Sequence, residues 1–499
     1  MNRSWRRRAW LALSAIVLIL VVLFTAADAW ARIGGGQSFG GGGGGSRGGG
    51  SSSNGGEIEL VFFLIQLCIE VPMIGIPLTM LVVLFAGFHY WDKSKSKTHM
   101  VYDHGQTAAP PPAKPRRSGL TKLREADRGF SMPVLLDFLI LVHRRATAAT
   151  ATQEWAPLAP FVSEEARAVL SKTWAGSKEV RDICVGSTDL RAVRKRGGRF
   201  ELVVRFESTR FVDSRHLYVV EDWTLARDAS ASSLAPEAVM RMGCPSCGAA
   251  VETTPMGACT TCDSPITKGQ LQWQVTGVSI VERRAAQPPQ LGAHSGGVEP
   301  SARMPTRFDP GLGHELRKLR ARHPDFVMDA FEQRVRDVYL ILQQAWSDNA
   351  ESAIRPFVTD PLFQTLRFWI EGYKRAKLQN RLDRVQMGQL QIVKVEVDAW
   401  YESVTVRLFG SMVDSTVDAS GKVVGGNAKV ERRFSEYWTF VRASASGGLV
   451  HDTLHCPSCG APLDQVSAAG ICGYCDTKIT TGHHDWVLSR IDQCETYRG

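Results

Sequence analysis

The chain reads CPSCGAAVETTPMGACTTC over residues 244–262 and CPSCGAPLDQVSAAGICGYC over residues 456–475. These two stretches hold eight of the 11 cysteines, arranged as Cys244, Cys247, Cys259 and Cys262, then Cys456, Cys459, Cys472 and Cys475. Two Cys-x-x-Cys pairs at such a separation can wrap four thiolates tetrahedrally around one zinc. Gly248 and Gly460 directly follow the first pair of each set, where the backbone must turn sharply and a residue without Cβ fits best. The expectation is two zinc ribbons, each a closed structural site without an open catalytic position. A lone Cys-x-x-Cys would support much less, because redox motifs share it.

The ribbons are the best-matched parts of an internal duplication. Sliding the chain by 196 positions superposes Phe130 on Phe326, Met132 on Met328, and Pro160-Phe161-Val162 on Pro356-Phe357-Val358. Further on, Glu221, Trp223 and Arg227 match Glu436, Trp438 and Arg442, and Trp273 matches Trp486 at a shift of 213. The growing offset places a longer hairpin in the second copy, around residues 414–427. A repeat this long is a duplicated domain; solenoid units run to roughly 50 residues. A chain of 499 residues has room for both copies, each large enough to bury a core.

Each copy opens with helix. Phe331, Val335, Val338, Leu342 and Ala345 recur at helical spacing over 327–346, and second helices are expected over 163–175 and 360–377. The period then changes to two at Leu202–Phe206, His216–Thr224, Val404–Phe409 and Ala428–Phe440, with last strands over 270–281 and 485–491. The fold class expected is α+β: two tandem cone-like domains, 129–284 and 325–499, each with helices on a curved antiparallel sheet and a ribbon inserted before the final strand. Residues 285–324 read as the linker between them.

The N-terminal quarter has a different character. Residues 1–31 read as a signal peptide or a first membrane helix, with Arg6, Arg7 and Arg8 before an apolar run and Ala27-Asp28-Ala29 offering a cleavage site. Residues 32–59 are a Gly/Ser-rich linker. Residues 60–91 read as a transmembrane segment, because Val71–Trp91 lacks Asp, Glu, Lys and Arg and suffices to cross a ~30 Å hydrocarbon layer. Glu70 falls at its outer interface. Lys93, Lys95 and Lys97 follow on one side only, which orients the C-terminal domains to the cytoplasm, where thiols stay reduced. A basic, Pro-rich linker over 92–128 completes the region. The net charge of +9 sits largely near lipid, not in a nucleic-acid groove.

Asp325-Phe326 opening a helix, Ala345-Trp346 near its end, then Pro356-Phe357-Val358 and Asp360-Pro361 resemble the Tim44-like domain family. Ala31-Arg-Ile-Gly-Gly-Gly-Gln-Ser-Phe-Gly40 is similar to the start of its membrane-anchored bacterial members. The resemblance covers the second copy well and the first poorly. It implies a nuclear-transport-factor-two-like cone on a membrane tether, in the bacterial inner membrane. The expected function is non-catalytic binding or tethering, with lipid and an unidentified protein as partners and a role in protein translocation or membrane-protein assembly. The alternative is a small-ligand receptor or enzyme using the cone pocket. This chain departs from the family by having two copies, a ribbon in each, and a cleavable signal with a membrane span.

The other residues have plainer readings. Cys68, Cys184 and Cys494 read as small apolar side chains. The matched tryptophans read as core, and His483-His484-Asp485 as a solvated turn. Glu221 and Glu436 have no recurrent His, Asp or Ser partner in the sequence to make either a general base. The ribbons carry Glu252 and Asp464 and no Lys or Arg between their cysteines, so nucleic acid is not expected as a partner.

Overall fold

The computed structural model describes residues 117–285, 297–446, 452–494, 497 and 499. The signal or first helix (1–31), the Gly/Ser linker (32–59), the membrane segment (60–91) and most of the basic linker lie outside the described residues. Among the described residues, no helix is long and apolar enough to cross a membrane.

In the first copy, α1 (Arg117–Ala126) leads into α2 (Met132–Thr152). The hydroxyl of Ser131 caps α2 by accepting from the Val134 amide at 3.5 Å, and Pro133 sits in the first turn, where no hydrogen bond is lost. Val134, Leu135, Phe138, Leu139, Val142 and Ala146 form its buried stripe. A 3₁₀ turn (Ala156–Leu158) and α3 (Glu164–Thr173, capped by Ser163) follow. Four antiparallel strands complete the copy: β1 (Val180–Arg196), β2 (Arg199–Val212), β3 (Arg215–Asp228) and β4 (Gln274–Ala285), in that spatial order. Along β2 the alternation is clean, with Phe200, Leu202, Val204 and Phe206 all buried against the helices. A short helix, α4 (Pro236–Arg241), and the first ribbon sit between β3 and β4.

The second copy repeats this plan. It begins with β5 (Gly297–Val298), α5 (Pro300–Arg303) and α6 (Leu312–Arg322). Then come α7 (Met328–Ser347), α8 (Glu351–Ile354) and α9 (Asp360–Ala376). All five apolar positions that set the helical period are buried on α7. The sheet runs β5–β8–β7–β6, built from β6 (Leu378–Val397), β7 (Tyr401–Asp418) and β8 (Val423–Ala443). The last strand, β9 (Val487–Gln493), also pairs with β8, antiparallel. The β7–β8 hairpin outreaches its β2–β3 counterpart, as the offset predicts. Val162 and Val358 of the two Pro-Phe-Val motifs each form a parallel bridge to the last strand of their own sheet, at Val275 and Leu488. That backbone contact explains why the motif recurs.

Two expected boundaries move upstream. The basic linker 92–128 ends in helix α1, because Leu123 is fully buried in the first core. The linker 285–324 also gives way to structure: β5, α5 and α6 pack on the second sheet, with Leu319 fully buried. Within the strap 297–309, Glu299 pairs with the buried Arg432, and Arg407 donates to the Ser301 carbonyl at 2.8 Å. Leu123 and Leu319 are themselves 196 positions apart, so the repeat begins with these helices.

The described residues belong to one compact unit, so the copies are not independent bodies. Phe368 and Trp369 of α9 pack on Cys184, Tyr218 and Val220 of the first sheet. Trp400, from the β6–β7 turn, packs on the first core and donates its indole N–H to the Gly129 carbonyl at 2.9 Å. Arg124 reaches Glu396 at 2.7 Å.

Candidate metal centres and cone interiors

Each ribbon brings its four thiols together. The sulfurs of Cys244, Cys247, Cys259 and Cys262 lie within 4.8 Å of one another, as do those of Cys456, Cys459, Cys472 and Cys475. Cys244–Cys262 measures 3.8 Å, Cys247–Cys259 4.0 Å and Cys456–Cys475 3.9 Å. A tetrahedron with metal–sulfur bonds of about 2.3 Å has edges of about 3.8 Å, so both clusters fit one metal ion. Backbone amides of Ser246 and Thr261 point at Cys244 and Cys259 sulfurs at 3.4 Å, which stabilises thiolate charge. The Ser264 side chain and amide hold the Cys262 thiol down at about 6, and Thr477 does the same for Cys475, at about 6.

The turns after the knuckles show a feature the glycines alone do not reveal. Gly248 and Gly460 have φ of +76° and +73°, and their amides bond back to Cys244 and Cys456. After the second knuckles, Asp263 and Asp476 stand in the same left-handed region at φ 55° and bond back to Cys259 and Cys472. Asp tolerates that region because its short polar side chain can bond locally. Each ribbon is therefore two like knuckles, and the Cys-x-x-Cys-Gly … Cys-x-x-Cys-Asp pattern is the signal for it.

The ribbons dock differently on their cones. Buried Arg355 bonds the Ala468 carbonyl of the second ribbon (2.9 Å), the Val358 carbonyl (2.8 Å), Thr480 and Asp360. Lys478 adds a contact to the other Asp360 oxygen at 2.5 Å. The first copy has Ala159 at the corresponding position. There the Gln274 amide group bridges the Thr267 and Ala159 carbonyls.

Asp485 departs from the solvated-turn reading. It is buried, 3.0 Å from buried Arg334, and its Oδ1 accepts from the Trp486 amide at 2.7 Å. Gln272 accepts from the Trp273 amide at the matching place. His483 and His484 stay partly exposed and hold no metal cluster with it among the described residues.

Inside the first cone, His143 Nε2 donates to Glu221 at 2.7 Å and Arg210 donates to the same oxygen at 2.8 Å, all three fully buried. Burial opposes the Glu221 charge, but Arg210 and His143 hold its carboxyl down at about 2. Burial lowers His143 against the pull of Glu221, which leaves a neutral imidazole beside an Arg–Glu ion pair. The sequence hid this partner because 78 residues separate His143 from Glu221. In the second cone Glu436 accepts instead from the Trp438 indole (2.9 Å) and Gln493 (3.1 Å). The four matched tryptophans are all buried, as are Cys184 and Cys494. A cleft at the seat of the second ribbon, lined by Arg334, Phe357 and Asp485, and another beside α2, lined by Phe130, Val134 and Trp273, each hold about 20 Å³, room for one water.

No curated protein matches the chain. Residues 312–450 match the family model described as the Tim44-like domain. The match runs from α6 through β8 and stops short of the second ribbon and β9, so the second copy carries a Tim44-like domain extended by a ribbon and a closing strand.

Proposed function

We propose that this chain is a membrane-anchored, non-catalytic binding and tethering protein that assists protein translocation or membrane-protein assembly. The observation that carries this reading is the Tim44-like domain at 312–450. The apolar segment 60–91 anchors the chain in a bacterial inner membrane, and Lys93, Lys95 and Lys97 orient the C-terminal domains to the cytoplasm. Its partners are membrane lipid and a protein client. Each ribbon holds one zinc ion as a structural staple: thiolates suit zinc, and four of them leave no open position. Side chains fill the cone interiors, which suits partner binding on outer surfaces.

Affinity purification of the full chain from native membranes, with identification of what co-elutes, tests the tethering role. Translocation or assembly components are the expected result. Recovery of a small-molecule pathway enzyme set, without such components, would overturn it. The second reading, a receptor or enzyme using the cone pocket, draws on the His143–Glu221 pair inside the first cone. It requires a route for ligand to that sealed pair.

A further inference from the structure

We propose that the second metal centre is a latch between the two copies: the metal sets the stretch 476–485, and that stretch holds the second copy against the first. The inference rests on the metal reading above and adds what the second site controls. Cys472 and Lys478 share one small hairpin. The Cys472 amide donates to the Thr477 carbonyl at 2.9 Å, and Ile471 bridges Lys478 in antiparallel register. Ile479 is buried against Cys456 and Cys472. The placing of Lys478 is thus tied to the closing of the four thiols, and a site of this kind folds with its metal. From there the Lys478 Nζ reaches Asp360, at the start of α9, at 2.5 Å. A Cβ at Gly470 would meet Arg355 Nη2 at 2.5 Å, so the ribbon has little room to shift on this seat.

The boundary between the copies runs past the same seat. Asp137, on α2 of the first copy, feels the Asp360 carboxylate, and Lys478 is the charge that offsets it. Two carboxylates brought together out of water oppose the contact unless a cation stands with them. Further on, Gly482 turns the chain at φ +80° and its carbonyl accepts from the Ala443 amide at 2.9 Å. His483 then lies 3.9 Å from Glu237 of α4. An exposed pair of this kind is worth little by itself, but it brings the trailing end of the ribbon onto the first copy. Burial, and then the Asp137, Glu237, Asp398 and Asp360 carboxylates, push the Tyr401 phenol up, so these groups share one margin of the contact. Phe368 and Trp369 supply its apolar part, and the latch closes the polar margin. The first ribbon has no such device. Pro265 stands where Lys478 stands, bridged to Ala258, and Val251 packs that ribbon on its own core.

The test reads amide hydrogen–deuterium exchange of the full chain in detergent, with metal content measured on the same samples. It is run at about pH 8, above the Asp137 carboxyl at about 7, so that the unlatched carboxylate is charged. Cys472→Ser should leave one metal ion and speed exchange several-fold in α4 and in the β6–β7 turn, 397–401. Cys259→Ser should also leave one ion but spare 397–401. Lys478→Met should keep both ions and still speed both segments. Adding Asp137→Asn to it should restore slow exchange, because the carboxylate left without its cation is gone. Unchanged exchange in Cys472→Ser, or equal loosening of 397–401 by Cys259→Ser, overturns the latch and leaves the metal reading intact. Wild-type exchange in Lys478→Met, or a loss that Asp137→Asn does not reverse, overturns it as well. If Cys472→Ser loses protection throughout the chain, the Lys478→Met pair decides alone. Fewer than two ions on the wild-type chain overturns the metal reading and this inference together.

Discussion

At the scale of single residues, the two copies solve one packing problem in different ways. Position 143 is His in the first cone; its counterpart, Tyr339, packs against Trp438 at 5.6 Å between ring centroids. The larger tyrosine leaves no space across from it: a Cβ at Gly410 would meet the Tyr339 oxygen at 2.6 Å and Phe434 at 2.7 Å. The first cone has Ser208 at the matching strand position, where it accepts from Arg210. Gly410→Ala should therefore destabilise the second copy by about 1–3 kcal/mol through overpacking, measured by denaturant unfolding. An unchanged midpoint would show that this core relaxes freely. Asp137 offers a pH signature. Burial, and then the Asp360 carboxylate, push its carboxyl up to about 7, with Lys478 pulling the other way. The folded protein thus holds a proton that the unfolded chain has released, so stability falls as pH rises from about 4 to about 7 and then levels. Asp137→Asn should flatten that fall, and parallel pH–stability curves for the two proteins would refute the assignment.

At the scale of elements, each ribbon is an insertion whose four thiols cluster and whose seat on its cone rests on one or two side chains. Their thiol clusters were legible because cysteine spacing is a local property of the chain. Their docking was not, because Arg355 gathers partners over 100 residues away. Arg355→Ala leaves the Ala468 and Val358 carbonyls short of a donor and should cost about 2 kcal/mol or more. The loss should appear as faster amide exchange in 466–482 and β9, with the first ribbon unaffected; uniform loss across both ribbons would contradict this anchoring. Metal removal acts one level up. Cys472→Ser should halve the metal content, from two ions to one, and loosen the second ribbon together with β9, because a site of this kind folds with its metal. Elemental analysis finding less than one zinc per wild-type chain would sink the zinc assignment.

For the whole molecule, the decisive contact is α9 lying across the first sheet. Phe368 and Trp369 cover Cys184, Tyr218 and Val220, and Trp400 reaches the first core from the opposite strand turn. Two copies joined this way should melt together. The double variant Phe368→Ser, Trp369→Ser removes the apolar cover and should split a single unfolding transition into two, followed by calorimetry. A single transition that merely shifts would mean that other contacts, such as Arg124–Glu396, couple the copies.

The sequence by itself determined which eight thiols cluster in fours, the recurrence of one plan, the order of helices and strands and the buried faces of α7 and β2. Each of these is written in local spacing: Cys-x-x-Cys, a shift of 196, periods of 3.6 and two. The resemblance of the second copy was also legible, since its motifs fall within the matched residues 312–450. Tertiary structure alone decided the rest. It turned the expected linker 285–324 into a strap whose Glu299 meets Arg432, 133 residues away. It buried Asp485 against Arg334, and it gave Glu221 the His143 partner that the sequence concealed. It also made one unit of two copies. The physical reason is common to all four: a buried charge or an apolar patch must find its complement wherever the fold brings one, and sequence separation carries no record of that meeting.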